Sequence, residues 1–229
     1  MSKNASYSKL KNLFKNTKFL EHALTHRSWV NENPGKFTSN ERFEFLGDAI
    51  LEYVVSKELF EMFPDKEEGY LTVVRSKIVN TKNLAKQAIQ LEIGKHIKLS
   101  KGEEDTGGRN NPSLLADAFE AIIGALYIDS GIAKTEKFIK AHLLNSLEDI
   151  LSTPLKDPKS RLQEYVQSKG MPTPKYDVIL ETGPDHNKRF TVGVIINGQQ
   201  IAIGEGKSKN EAAQIAASLA IEKINKAKN

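Results

Sequence analysis

The sequence predicts a multidomain chain, an all-α domain followed by a small α+β domain, and three observations carry that reading. Apolar residues recur three and four apart through most of the first two thirds of the chain. Past the proline-bearing break Leu151-Ser-Thr-Pro-Leu-Lys-Asp-Pro158, the pattern becomes a helix, three strand-like runs and a last helix. The charge changes there too: residues 155–229 hold 12 Lys and Arg against 8 Asp and Glu, whereas the preceding 154 residues hold 21 of each. This places the first domain at 1–152, a linker at 153–158 and the second domain at 159–229.

In the first domain, helical spacing runs through Phe43–Phe63, Leu71–Ile93 and Leu114–Ile128. Breaks are expected at Asn33-Pro-Gly35, Pro64-Asp65, Gly102–Pro112 and Ser130-Gly131, where glycine and proline punctuate the pattern. In the second domain, Ser160–Lys169 reads as a helix, and Lys175–Glu181, Arg189–Ile196 and Gln200–Gly204 read as strands. Asn197-Gly198 between two apolar runs signals a tight hairpin, and Ser208–Lys226 closes as an alanine-rich helix, giving the order α-β-β-β-α.

Composition sets outer bounds. Hydrophobic residues make up 39% of 229, enough for packed cores, and the absence of cysteine excludes disulfides, thiolate metal ligands and a thiol nucleophile. The polar, lysine-rich N-terminus has no apolar core of a signal peptide, and no run of 18 apolar residues exists, so a cytoplasmic, membrane-free protein is expected. Net charge is +4 with a pI near 9.0, all of the excess in the last third. That pattern suits a polyanion-binding appendage, and it equally suits a solvated lysine surface.

The acids carry the chemistry. Glu41, Glu44 and Asp48 lie at offsets of three and seven, within about 60° of one helix face at about 100° per residue. Phe45, Leu46, Ala49, Ile50 and Tyr53 fill the adjoining arc as an apolar stripe. Leu114–Ile128 is apolar on every side except at Asp117 and Glu120, the mark of an interior helix. Two anions there face desolvation costing several kcal/mol each, and no Lys or Arg lies in the segment to offset it. Three arrangements satisfy them: a divalent cation, an arginine network drawing on Arg42, Arg75 or Lys77, or carboxylates reaching solvent. All-oxygen ligation favours Mg²⁺ over zinc or iron. Thr38-Ser-Asn-Glu41 also matches a capping box, which makes Glu41 the weaker ligand. His22, His26 and His96 are scattered and no Glu-x-x-His pair exists, so a di-iron bundle is not indicated. His26 reads as a hydrogen-bonded core or capping residue. There is no Ser/His/Asp grouping and no P-loop.

At Asn40-Glu-Arg-Phe-Glu-Phe-Leu-Gly-Asp48 the chain resembles the ribonuclease III family, to which Dicer's nuclease domains also belong. Three further segments agree in order: Ala23-Leu-Thr-His-Arg-Ser28; Glu68-Gly with Arg75-Ser-Lys77 behind it; and Leu115-Ala-Asp-Ala-Phe-Glu-Ala-Ile-Ile-Gly-Ala125. The resemblance implies a helical ribonuclease III catalytic domain with metal-binding acids at Glu44, Asp48, Asp117 and Glu120. Asp48 and Glu120 are the catalytic pair it implies, Glu41 and Glu68 its supporting acids, and Phe45 an aromatic that packs into the partner of a homodimer.

The last domain resembles the double-stranded-RNA-binding fold, which reads duplex shape over about 16 base pairs. By that resemblance RNA contacts fall on Ser160, Gln163, Glu164 and Gln167, on Gly183-Pro-Asp-His186, and on Lys207, Ser208 and Lys209. Asn210 stands where the family often carries a second lysine, which should weaken one phosphate contact. The implied activity is Mg²⁺-dependent hydrolysis of double-stranded RNA, with Mn²⁺ as a substitute, leaving staggered ends with 5′-phosphate and 3′-hydroxyl groups. Processing of ribosomal RNA precursors and other structured RNAs follows from the same resemblance. A non-cleaving RNA-binding regulator is disfavoured by the intact acids, and a prenyl-synthase-like enzyme by the absence of Asp-Asp-x-x-Asp clusters.

Overall fold

The computed structural model describes residues 5–35, 38–152, 154–184 and 187–226. The chain divides into two compact units, Met1–Leu155 and Lys156–Asn229.

The first unit is helical: α1 (Ala5–Lys11), α2 (Thr17–Ala23), α3 (Arg27–Glu32), α4 (Glu41–Met62), α5 (Glu68–Ile78), α6 (Thr81–Gln90), α7 (Lys101–Asp105), α8 (Pro112–Ser130), α9 (Ile132–Leu143) and α10 (Leu147–Ser152). Helix α8 carries Phe119, Ile122, Ile123 and Leu126, all fully buried in one core with Leu51 and Leu59 of α4. Each such side chain contributes about 1.5–3 kcal/mol of transfer free energy. Both ends of α8 are set by its sequence. Asn111 accepts the Ser113 amide at 2.9 Å ahead of Pro112, and Gly131 terminates the helix at φ +80°.

Two boundaries differ from the periodic reading. The run Leu71–Ile93 is broken at Asn80, whose Nδ2 donates to the carbonyls of Ser76 and Lys77 while its Oδ1 accepts the Asn83 amide at 2.9 Å. One side chain therefore caps α5 and starts α6, an event that apolar spacing does not register. The expected break at Gly102–Pro112 holds the short helix α7, opened by Ser100 accepting the Glu103 amide at 3.1 Å.

The second unit comprises α11 (Pro158–Ser168), β1 (Lys175–Thr182), β2 (Arg189–Ile196), β3 (Gln199–Gly206) and α12 (Lys209–Lys226). The antiparallel sheet has order β1-β2-β3, and Ile196 pairs with Gln199 across Asn197 and Gly198, both at positive φ as a type I′ turn requires. Leu162 and Val166 of α11 meet Val194 and Ile196 of the sheet and Ala216, Ala217 and Ala220 of α12 in one core. Alanines suffice on α12 because β3 comes close: a Cβ on Gly204 would lie 2.3 Å from the Ala216 amide nitrogen. No helix among the described residues is long and apolar enough to cross a membrane.

Candidate metal centre and nucleic-acid surface

The contact between α4 and α8 is made backbone to backbone. A Cβ on Gly47 would stand 1.8 Å from the Glu120 carbonyl oxygen, and one on Gly124 would stand 2.1 Å from that of Phe43. Only glycine permits this approach, and it sets Glu44 of α4 facing Asp117 and Glu120 of α8. One carboxylate oxygen from each of Glu44, Asp117 and Glu120 lies within 4.8 Å of the others, all three side chains being half-buried.

The electrostatics record the cost. Burial first, then the charges of Asp48, Asp117, Glu44 and Glu52, push the Glu120 carboxyl up to about 8. Burial likewise raises Glu44, helped by Asp117, Glu41 and Asp48, and raises Asp117 against the opposing pull of the His26 ring. None of the ion pairs among the described residues involves Glu44, Asp48, Asp117 or Glu120.

The alternative of an arginine network is not formed among the described residues. Arg75 pairs with Glu52 at 2.8 Å and donates to Ser56 Oγ at 2.9 Å, Lys77 donates to the Pro154 carbonyl at 2.7 Å, and Arg42 is exposed. Carboxylates crowded in half-buried positions without a cation fit a hard, oxygen-loving metal ion.

The other expected residues are placed apart from this trio. Asp48 is exposed on α4, one turn beyond Glu44, and acts on Glu120 through its charge. Glu41 forms no capping box. Asn40 is the N-cap of α4, its side chain donating to the Ala23 carbonyl, and Glu41 instead accepts Ser39 Oγ at 2.7 Å and Arg27 at 3.2 Å. Glu68 lies exposed in the first turn of α5, accepting Thr72 Oγ1 at 2.8 Å. It lines a groove of about 660 Å³ with Tyr53, Phe60 and Leu71. His26 caps α3, accepting the Ser28 amide at 3.2 Å.

Phe45 corrects the reading of an apolar core stripe. It is 80% exposed, and Tyr53 on the same helix is 57% exposed, because the core claims the α4 face that carries Gly47, Ile50, Leu51 and Val54. The Gly47–Gly124 contact was missed from sequence. Its signal was available, since a glycine well inside each acid-bearing helical pattern asks for a close packing partner.

In the second unit, Gln163, Glu164 and Gln167 are exposed on α11, and Ser160, half-buried at its start, donates its hydroxyl to Asp157 at 2.7 Å. Glu164 pairs with Lys156. Lys207, Ser208 and Lys209 are exposed at the start of α12, where Ser208 Oγ accepts the Glu211 amide at 3.1 Å and Glu211 accepts that of Lys207 at 2.6 Å. The sequence signal for this reciprocal cap is Ser208-x-x-Glu211. Lys209 sits over the Phe190 ring, 5.7 Å from its centre. Gly183 and Pro184 are described, while His186 lies outside the described residues.

Comparison with known proteins follows the same division. A ribonuclease-III-like family model matches residues 16–147, and a double-stranded RNA binding motif matches residues 158–224. The chain is 45% identical to the ribonuclease 3 of Geobacillus kaustophilus over 227 residues, 97% of this chain and 92% of that protein. It is also 45% identical to the ribonuclease 3 of Anoxybacillus flavithermus, covering 98% of each. A solved structure of the nuclease domain of ribonuclease III from Campylobacter jejuni, described for flexibility in a region involved in dimer formation, is 43% identical. It matches with a TM-score of 0.52 over 62% of this chain and 95% of that one. With both family models matched in order along nearly its whole length, the chain belongs to the ribonuclease III family of metal-dependent, double-stranded-RNA-specific endoribonucleases.

Proposed function

We propose that this endoribonuclease hydrolyses double-stranded RNA with Mg²⁺, held by Glu44, Asp117 and Glu120 with Asp48 beside them, and that Mn²⁺ can replace it. The observation that carries the reading is the trio of half-buried carboxylate oxygens within 4.8 Å of one another and the lack of any ion pair to them among the described residues. A bound divalent ion supplies a water of lowered pKa and stabilises negative charge developing on the phosphodiester. The chain's own residues position that chemistry: α4 and α8 present the carboxylates on a common face, and the half-buried setting strengthens their hold on the cation. The acids serve as ligands, so none needs to act as the general base. Asp48 and Glu120 form the catalytic pair, and Glu41 and Glu68 are supporting acids.

Residues 1–152 form the catalytic domain, 153–158 the linker and 159–229 the RNA-binding domain in this reading. Ser160, Gln163, Glu164 and Gln167 of α11, His186, and Lys207, Ser208 and Lys209 contact the duplex, reading its shape through phosphates and 2′-hydroxyls. Phe45, exposed beside the acid ridge, packs against a second copy in a homodimer, and each copy cuts one strand to leave staggered 5′-phosphate and 3′-hydroxyl ends. Ribosomal RNA precursors and other structured RNAs in the cytoplasm are the substrates. Incubation of long duplex RNA with and without Mg²⁺, with sizing and end-group analysis, tests this. Short duplexes bearing 5′-phosphates only with Mg²⁺ are expected. Duplex that is retarded on a gel yet stays whole would mark a non-cleaving RNA-binding protein instead.

A further inference from the structure

The Gly47–Gly124 contact does more than fill space. Gly47 lies between Glu44 and Asp48 and touches the carbonyl of Glu120; Gly124 lies one turn beyond Glu120 and touches the carbonyl of Phe43, the residue before Glu44. Each glycine thus bears on the backbone at or beside a carboxylate of the opposite helix. The helix-to-helix distance at this point is the distance from which Glu44 must reach across to Asp117 and Glu120.

We infer that Gly47 and Gly124 are positioning residues that hold the α4–α8 spacing to the size of a small divalent cation, and so select Mg²⁺ over larger ions. The inference rests on the metal reading above. Magnitudes support it. Moving a Cβ from 1.8 Å to the 3.0 Å below which real Cβ contacts essentially never occur asks for a retreat of about 1.2 Å. Opposed oxygens stand about 4.1 Å apart across Mg²⁺ and about 4.9 Å apart across Ca²⁺, a difference of about 0.8 Å. One methyl group at the contact therefore exceeds the whole margin between the two ions. Mg²⁺ demands near-ideal octahedral geometry, whereas Ca²⁺ tolerates a loose and variable shell.

The test uses the full chain without RNA and follows the rise in melting temperature on titration with Mg²⁺, Mn²⁺ or Ca²⁺. Wild type is expected to bind Mg²⁺ more tightly than Ca²⁺. Gly47→Ala and Gly124→Ala are expected to weaken Mg²⁺ by about tenfold or more while losing less for Ca²⁺, inverting or levelling the order. Gly94→Ala is the control for destabilisation alone. Its Cβ would meet the Arg109 carbonyl at 2.3 Å and the Leu115 side chain at 3.2 Å, a comparable backbone clash outside the α4–α8 glycine contact, and it should melt lower yet keep the wild-type ion order. Alanine variants at 47 and 124 that keep the wild-type Mg²⁺ affinity and order would overturn the inference while leaving the metal site standing. A wild type that no divalent cation stabilises would overturn both. If neither alanine chain folds, the wild-type series decides: tighter Mg²⁺ supports the inference, and tighter Ca²⁺ refutes it.

Discussion

The two units place charge in opposite ways. In the nuclease unit, Glu44, Asp117 and Glu120 are half-buried, crowded and raised in pKa, with no ion pair to any of them among the described residues. In the RNA-binding unit, the charged groups assigned to recognition are exposed, and two of them have a partner within the unit: Glu164 with Lys156, and Lys209 over Phe190. Charge kept from water without a protein partner stores free energy that a small cation releases, which is how a site binds metal and does chemistry. Charge kept in water costs little and binds a polyanion through its phosphates, strongly but with marked salt dependence. In the proposed reading, the difference separates catalysis from recognition within a single chain.

The contrast breaks first at Glu120. Replacing it with glutamine should lower cleavage by at least about 10³-fold while duplex binding persists, since the missing charge belongs only to the nuclease unit. Cleavage of labelled duplex beside gel retardation checks both halves, and wild-type turnover would remove Glu120 from the metal site. Phe45→Ala comes next. If this side chain, 80% exposed, is the proposed dimer contact, its removal should weaken self-association by about 30-fold with little loss of fold, read by sedimentation across concentration.

A smaller effect is expected at Asp157, which starts α11. Burial opposes its charge, but hydrogen bonds from Ser160, from Gln214 and from the Lys159 amide outweigh it and hold the carboxyl below its ordinary 3.8. Its contribution is therefore fully present above the unfolded-state value and is lost as pH falls through the lower folded one. Asp157→Ala should destabilise the unit by about 1 kcal/mol at neutral pH and less in acid, measured by thermal melting at several pH values. The smallest change belongs to Lys209→Ala, which should reduce the slope of log affinity against log salt by about 1 and leave catalysis at saturating RNA unchanged.

Much of this division was legible in the residues. The helical and strand-like periods, the hairpin at Asn197-Gly198, and the anomaly of Asp117 and Glu120 on an apolar helix all reflect local pattern, which sequence displays directly. What was not legible depends on which surfaces meet. Asn80 divides one apolar run into two helices by hydrogen bonds that leave no period, and Ser100 opens α7 inside a glycine-bearing stretch. Phe45 falls in an apolar arc with Ala49 and Tyr53, and only burial shows that the core takes the opposite arc of α4, through Gly47, Leu51 and Val54. Glu41 fits a capping motif, yet Arg27 and Ser39 from neighbouring segments take its carboxylate. Resemblance implies the four principal acids, and an interior glycine in each acid-bearing run signals close packing, but which helix each glycine meets is seen only in three dimensions.

A divalent cation that neutralises these acids must displace the proton they hold, so Mg²⁺ binding should release protons. With its carboxyl pushed up to about 8, Glu120 is largely protonated at pH 7 without metal and must give up that proton to bind it. The same shift makes the metal-free fold lose stability as pH rises from the ordinary 4.5 toward 8, because the folded state then holds a proton that the unfolded state has released. Titration calorimetry at pH 7 in two buffers of different ionisation enthalpy should show on the order of one proton released per chain, abolished in Glu120→Gln. Mg²⁺ binding with no proton release, or an unchanged release from the Glu120→Gln chain, would show that the cation does not take the place of the Glu120 proton.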